Sequence, residues 1–241
     1  MKALSFVLFF SFLTLASAAP APTTVTVGLK QAYVPVGFDD NDRIQIAVSG
    51  VFRNTCFKMG PHALKVDTVK KEIRIQQQAY YYSGVCLQMF VPFNEIVDIG
   101  IVPPATYKLI DASSGTGLGS LEVKSSGNQP GPDDFLYAPV SDAYVVNNPE
   151  SGKRLLALTG NFGDRCSDFS EIKINSIEEM KKTGVMVVQP VIARNEEADC
   201  SHAKVRFLKT VELDANIPTG VYLLHVRSLN GQAVNKIVDL D

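Results

Sequence analysis

The chain has 241 residues, of which 46% are hydrophobic and 20% charged, with 23 basic and 25 acidic side chains. The large apolar share excludes a disordered or collagen-like chain. Because the charges nearly balance and no basic block occurs, we expect no nucleic-acid partner.

The first eighteen residues have the pattern of a secretory signal peptide. Lys2 supplies a positive charge, the segment 3–15 is almost wholly apolar, and the Ala-Ser-Ala sequence at 16–18 provides the small residues that a signal peptidase needs. The apolar run is shorter than the roughly 20 residues that span a bilayer. We therefore expect cleavage after Ala18, no membrane span, and an extracytoplasmic location, either periplasmic or secreted.

The mature sequence shows the two-residue hydrophobic alternation of half-buried strands. The alternation is clear at 43–48, 71–76 and 171–175, where every second side chain is apolar. Gly, Pro, Asn and Asp separate these runs at short intervals, as in proteins built from many short strands. The pattern predicts about seven strands in each half of the chain, arranged as an antiparallel β-sandwich.

Three segments interrupt the strand pattern. The Gly-rich run at 115–119 has no helix after it, so we interpret it as a hairpin turn and not as a phosphate-binding loop. The polar segment 125–134 is rich in Gly and Pro and is interpreted as a linker. The segment 176–184 has a Ser-x-x-Glu capping box and a terminal Gly, and it predicts an elaborated loop with at most a short helix.

The two halves of the chain repeat the same landmarks in the same order. The pattern Gly-x-Phe-x-x-x-Cys at 50–56 recurs at 160–166, and Tyr-x-Pro-Val at 33–36 is matched at 137–140. Both halves also close with related sequences, at 102–107 and 217–222. We infer a tandem duplication in which one domain spans 19–124 and the other spans 135–241, joined by the linker 125–134.

Four cysteines in an exported chain allow three disulfide pairings. Each half contains two cysteines at corresponding places, so the pairing of Cys56 with Cys86 and of Cys166 with Cys200 lets each half fold alone. A zinc site would need cysteines only a few residues apart, which these are not. We therefore expect two disulfides and no thiol left for catalysis.

The remaining sequence shows no recognisable active site. There is no Gly-x-Ser-x-Gly elbow, and His62, His202 and His225 each stand alone. The acidic runs at 39–42, 133–134 and 196–199 lack the spacing of a calcium-binding loop. We expect no catalytic residue, no cofactor, no resident metal and no enzymatic activity.

Tyr80, Tyr81 and Tyr82 form the candidate binding surface. On a strand, at least one of three successive side chains faces away from the core, and exposed aromatic side chains are enriched in binding sites. The second half has a polar segment at the same approach to its cysteine. The alternative is that the tyrosines simply pack over the disulfide.

Three segments together resemble the small immunoglobulin-like domains of exported bacterial proteins and lipoproteins: Ser49–Cys56, Cys86–Phe93 and Pro103–Tyr107. The resemblance covers both halves, and its motifs are structural. It implies an all-β fold of two tandem immunoglobulin-like antiparallel β-sandwich domains, each with one intradomain disulfide, in an exported bacterial protein. It implies no active-site residues.

We consider three functions for such a chain. The first is a non-enzymatic binding or structural module that contacts an extracytoplasmic protein or polysaccharide through its loops and sheet edges. The second is a protease inhibitor whose stiff loops fill a protease cleft. The third is a hydrolase with its site at the interface between the two domains. The absence of a catalytic constellation favours the first.

Overall fold

The computed structural model describes residues 20–126, 135–195 and 200–241. The predicted signal peptide 1–18 and most of the predicted linker, 127–134, lie outside these residues. The strands of the first half are β1 Thr23–Val27, β2 Leu29–Tyr33, β3 Phe38–Asp39, β4 Ile44–Phe52, β5 Phe57–Asp67, β6 Glu72–Tyr81, β7 Val91–Gly100, β8 Ala105–Asp111 and β9 Gly117–Lys124. The elements of the second half are β10 Val140–Asn147, β11 Arg154–Asp164, β12 Ser167–Ile174, α1 Ile177–Thr183, β13 Val185–Arg194, β14 His202–Glu212, β15 Gly220–Arg227 and β16 Ala233–Leu240.

Each half contains two sheets. In the first half one sheet has the order β2-β4-β7, and the other has the order β1-β6-β8-β9-β3, with β5 also paired to β6. The second half repeats this division with the orders β10-β11-β14 and β12-β13-β15-β16. Among the described residues, every named strand pair joins two strands of the same half. The all-β prediction is confirmed.

The two sheets of each half share one hydrophobic core. In the first half Ile46 of one sheet and Ile73 and Leu109 of the other belong to the same cluster of buried side chains. In the second half Leu156 and Leu224 have the corresponding roles. Each such side chain contributes about 1.5–3 kcal/mol on burial. This packing explains the alternation in the sequence, since only every second strand residue reaches the core.

The sheets are mixed, and not antiparallel throughout as the strand pattern predicted. β6 pairs with β8 in parallel, and β13 pairs with β15 in the same way. The short β3 is also parallel to its neighbour β9. Between β6 and β8 the chain crosses to the other sheet as β7, and it returns to the first sheet running in its earlier direction. Such crossovers produce parallel neighbours.

The strand register shows which residues of the two halves correspond. Leu29 of β2 lies opposite Gly50, and Val140 of β10 lies opposite Gly160. Both pairs are followed by the same irregularity in register, after which Tyr33 lies opposite Ala47. The Tyr-x-Pro-Val match in the sequence is therefore wrong, because Tyr33 corresponds in the ladder to Tyr144 and not to Tyr137.

Tyr137 belongs to a segment that corresponds instead to β1. The backbone N–H of Ala138 donates to the carbonyl of Pro190, and the N–H of Ile192 donates to the carbonyl of Leu136, both at 2.8 Å. This places residues 136–138 beside β13, as β1 lies beside β6. The first residues after the predicted linker thus complete a sheet.

A tyrosine near the start of the penultimate strand fastens the preceding turn in each half. The Tyr107 hydroxyl donates to the carbonyl of Pro103 at 2.8 Å, and the Tyr222 hydroxyl donates to that of Pro218 at 3.1 Å. Both tyrosine side chains are buried. Their hydroxyls need a partner there, because an unsatisfied buried hydroxyl would cost about 1–3 kcal/mol. The closing sequences at 102–107 and 217–222 therefore form the same tyrosine-to-turn hydrogen bond in the two halves.

The Gly-rich run at 115–119 lies in the turn and first residues of the β8–β9 hairpin, as predicted. The buried carboxylate of Asp111 organises this turn by accepting hydrogen bonds from the Ser113 and Ser114 hydroxyls at 2.7 Å. Burial acts to raise the pKa of Asp111, but these hydrogen bonds and one from the Leu29 N–H hold that pKa below its ordinary value. Asp111 therefore serves as an ionised structural group.

The segment 176–184 forms a true helix, α1, with the caps that its sequence indicates. The Ser176 hydroxyl accepts from the Glu179 N–H, and Gly184 ends the helix with a left-handed φ of 67°. Met180 anchors the helix in the core.

Across the part of the chain that the structure describes, no helix is long and apolar enough to cross a membrane.

Candidate functional site

The two disulfides have the predicted pairing, Cys56 with Cys86 and Cys166 with Cys200. In each half the first cysteine follows a turn that an acidic or amide side chain caps. The Asn54 side chain accepts from the Cys56 N–H at 3.0 Å, and the Asp164 carboxylate accepts from the Cys166 N–H at 3.1 Å. The repeat in the sequence is thus a repeat in local structure at both bridges.

The three predicted surface tyrosines divide between the core side and the solvent. Tyr81 packs against Phe57, with 5.1 Å between ring centroids, while Tyr80 and Tyr82 are exposed. The backbone N–H of Tyr82 donates to the Cys56 carbonyl at 3.0 Å, which fixes the chain where it leaves β6. Two of the three tyrosines therefore face outward, as the strand geometry requires. That they form a binding surface stays a prediction.

The loop that follows these tyrosines exposes more apolar surface than they do. Val85 is fully exposed, and Leu87, Met89 and Phe90 have 66%, 54% and 75% of their surface in contact with solvent. We call residues 82–90 the apolar loop. Isolated exposed apolar residues are ordinary, but a continuous group of this kind typically marks an interaction surface.

The apolar loop is attached to the first half at several points. Its Cys86 is bonded to Cys56. Thr55 contributes two hydrogen bonds, its N–H donating to the Leu87 carbonyl at 3.2 Å and its hydroxyl accepting from the Leu87 N–H at 3.0 Å. The exposed side chains therefore project from a backbone held to the strands beneath it.

An apolar groove lies beside the loop. Its volume is about 430 Å³, and it lies between β1 and the end of β4, with walls that include Val25, Val27, Phe52, Phe57 and Tyr81. Arg53 also lines the groove and contributes a positive charge. Because Tyr81 lines the groove and the next residue begins the loop, the two features form one surface at the disulfide end of the first half.

A second, smaller cavity lies where the two halves meet. It has a volume of about 260 Å³, and its walls include Asp42 and Phe38 from the first half and His225, Arg227 and Ser228 from the second. The Arg227 guanidinium donates to the Asp42 carboxylate at 3.1 Å, and both side chains are buried. This charge pair therefore joins the halves across their junction.

The other polar groups at the junction also have structural partners. The Ser228 hydroxyl donates to the carbonyls of Val140 and Ala138, at 3.1 and 3.3 Å. The Nδ1 of His225 lies 2.7 Å from the Asn235 side-chain oxygen. The hydrolase hypothesis, which needs a nucleophile aligned with a base, gains no support from these contacts.

Burial decides the protonation state of His225. Removal from water lowers its pKa to about 4, although the contact with Asn235 acts in the opposite direction. Arg227 lowers this pKa further and Asp42 raises it, both through charge. His225 is therefore a neutral core residue at pH 7.

Sequence reasoning identified the tyrosines but missed the apolar loop and the Asp42–Arg227 pair. The segment Cys86–Phe93 entered only as one of the structural motifs of the resemblance, and its apolar residues were not considered as a surface. The signal for the charge pair was an arginine at the end of an almost wholly apolar strand, β15.

Within the described residues, no group of three or more His, Cys, Asp or Glu side chains could hold a metal ion.

No protein-family model matches the chain, and comparisons with curated proteins and with solved structures find no match either.

Proposed function

We propose that the chain is an exported, non-enzymatic binding module that recognises a protein partner through the apolar loop and the adjoining groove. In this proposal the chain comprises two immunoglobulin-like β-sandwich domains, 19–124 and 135–241, and acts outside the cytoplasm after loss of residues 1–18. The two disulfides support this location, because such bonds persist in oxidising compartments.

The exposure of the apolar loop is the observation that carries the proposal. Leaving Leu87 and Phe90 in water forgoes the stabilisation that burial of such side chains would give, about 1.5–3 kcal/mol each. A partner that covers them would recover this free energy. The groove beside the loop offers an aromatic-lined recess for an apolar side chain of that partner. A protein surface suits these features better than a polysaccharide, whose hydroxyl groups need polar partners.

The proposal can be tested by comparing variants in a pull-down from the extracytoplasmic fraction of the source organism. We expect the wild-type chain to recover a defined protein, and Leu87→Ser/Phe90→Ser to lose it. The matched control is Val69→Ser, since Val69 is 89% exposed in a turn far from the loop. Equal recovery by all three chains, or recovery of nothing above background by the wild type, would remove the proposal.

Protease inhibition is a second candidate, favoured by the attachment of the apolar loop. A disulfide and two hydrogen bonds from Thr55 hold its backbone while Leu87 stays exposed. A loop presented in this way could occupy a protease cleft that prefers apolar side chains. Incubation with chymotrypsin-like, trypsin-like and subtilisin-like proteases would decide. We expect stoichiometric inhibition of a protease with an apolar specificity pocket, relieved by Leu87→Asp, and indifference of the whole panel would exclude this function.

A further inference from the structure

The second half repeats part of the surface by which the first half binds it, and three large apolar side chains there, Tyr144, Val146 and Leu208, are exposed. Tyr33 and Ala47, on the outer face of the β2-β4-β7 sheet, pack against Val185, Val187 and Leu223 of the second half. All five side chains are buried in this contact. The contact is therefore an apolar junction between the outer face of one sheet and the outer face of another.

The ladder register places the same residue pair on the second half. Tyr33 lies opposite Ala47 on neighbouring strands, and Tyr144 lies opposite Ala157 at the corresponding position of the β10-β11-β14 sheet. Only 7% of Tyr33 is exposed, whereas Tyr144 is 37% exposed. The tyrosine that is covered in the first half is thus accessible in the second.

Neighbouring side chains extend this exposed area. Val146 is 41% exposed and Leu208 is 62% exposed, and the strand pairing places them on the same outer face as Tyr144. We call Tyr144, Val146 and Leu208, together with the half-buried Leu155 on the same face, the outer patch of the second half. Ala157 lies on this face but is only 2% exposed. Ion pairs lie at its margin, between Lys153 and Glu212 and between Lys236 and Asp142. Thr210, opposite Ala157 and exposed, is a polar member of the same face. A mainly apolar centre with a polar and charged margin is common in protein interfaces.

A second copy of this chain does not offer the surface that this patch would need. The parallel pair of Val185 with Leu223 corresponds by register to the pair of Glu72 with Lys108 in the first half. Val187 corresponds in the same way to Arg74, which forms an ion pair with Glu72. Where the second half presents aliphatic side chains, the first half presents charges, so stacking of chains head to tail is disfavoured.

We propose that the outer patch binds the flat face of a β-sheet in another protein, one whose neighbouring strands present aliphatic side chains as Val185, Val187 and Leu223 do. The sheet of the partner would cover the outer patch of the second half in the way that the sheet of the second half covers Tyr33 and Ala47 of the first half. This interface is separate from the apolar loop, and its test does not depend on the function proposed for that loop.

The test builds the missing surface on a second chain. An acceptor chain carries Glu72→Val, Arg74→Val and Lys108→Leu, together with Tyr144→Arg to prevent its own association. Mixed with the wild-type chain, it should form a 1:1 complex in sedimentation velocity. Tyr144→Arg in the otherwise wild-type chain should weaken this complex by about tenfold or more. The control Tyr82→Arg, at an exposed tyrosine on the apolar loop, should bind the acceptor as the wild type does.

Two results would overturn the proposal. One is an acceptor chain that binds neither partner. The other is equal binding to the wild type and to Tyr144→Arg, which would show unspecific adhesion of the new apolar residues. If the acceptor does not melt cooperatively, a milder acceptor with Arg74→Val, Lys108→Leu and Tyr144→Arg replaces it, and the same two results apply.

Discussion

The ring of Phe93 packs directly onto Gly50. A methyl group added at Gly50 would lie 2.3 Å from the Phe93 Cζ and 2.8 Å from the Gly28 carbonyl oxygen. Phe207 and Gly160 repeat the relationship, with 2.5 Å to the ring and 2.2 Å to the Pro139 oxygen. These distances are shorter than any normal contact of a carbon atom. Because a ring and a backbone strand approach so closely, only glycine fits at positions 50 and 160 without displacement of its neighbours.

Gly50→Ala and Gly160→Ala should each destabilise the fold by about 1–3 kcal/mol, because the ring and the backbone must move apart to admit the methyl group. Urea unfolding measures this change. Gly163→Ala is the matched control, since it lies on the same strand as Gly160 with open space around it. Equal stability of Gly160→Ala and Gly163→Ala would contradict the packing argument.

The Asp42–Arg227 pair should be costly to break from one side. Asp42→Ala leaves the Arg227 charge buried at the junction, and we expect a loss of about 3–5 kcal/mol in the free energy of unfolding. The double variant Asp42→Ala/Arg227→Met should be less destabilised than the two single variants added together.

The matched control for the buried pair is Arg43→Ala. Arg43 pairs with Asp98 on the surface, where water and salt screen the interaction. We expect no measurable change in unfolding for this variant. A similar loss for Arg43→Ala and Asp42→Ala would show that burial at the junction does not control the energetics.

Stability should fall in mild acid because of His225. Its pKa is about 4 in the folded chain, against 6.5 for an ordinary histidine, so the unfolded chain gains a proton first as the pH falls. The contribution of neutral His225 is complete above about pH 6.5, decreases between pH 6.5 and 4, and totals on the order of 3 kcal/mol.

The His225→Gln variant isolates this effect. Unfolding free energies measured from pH 4 to 7 should show a smaller slope for the variant than for the wild type, whatever its absolute stability. Carboxylates that titrate in the same range affect both chains, so the difference between slopes belongs to His225. Identical slopes would mean that the histidine binds protons equally in the folded and unfolded chains, so that folding does not lower its pKa.

Removal of one disulfide should weaken mainly the half that contains it. The loop-closure model gives about 3.5–4 kcal/mol for a ring of roughly this size. Hydrogen exchange of Cys56→Ala/Cys86→Ala should accelerate most in β5 and β6, and Cys166→Ala/Cys200→Ala should accelerate β12 and β13. Uniform acceleration across both halves would contradict this assignment, as would equal melting with and without reducing agent.

Local features of the fold could be predicted because they depend on neighbouring residues. The alternation at 43–48 and 71–76 identified β4 and β6, and Ser176 and Gly184 marked the ends of α1. The repeat selected the disulfide pairing because corresponding cysteines occupy corresponding turns. In each case the signal lies within a few residues or within one copy of the repeat.

Long-range relationships could not be predicted from the same information. The parallel pairing of β6 with β8 depends on a crossover through the other sheet, which leaves no mark in the strand sequences. The match of Tyr33 with Tyr137 was wrong because it was based on sequence similarity alone. The pairing of neighbouring strands, which the sequence does not reveal, aligns Tyr33 with Tyr144. Arg227 and Asp42 are 185 positions apart in sequence, so the sequence around either residue does not predict their ion pair.

The positions of the two disulfides also limit how far the chain can be stretched. Each bond closes a covalent ring around a strand pair, and its cysteines are 30 or 34 positions apart in sequence. A force that pulls on the two ends of the chain would be carried by each disulfide bond and not by the backbone between its two cysteines. About 100 Å of backbone in each ring could therefore not be extended. Reducing conditions would release this hidden length, so the redox state determines the reach of the unfolded polypeptide as a tether.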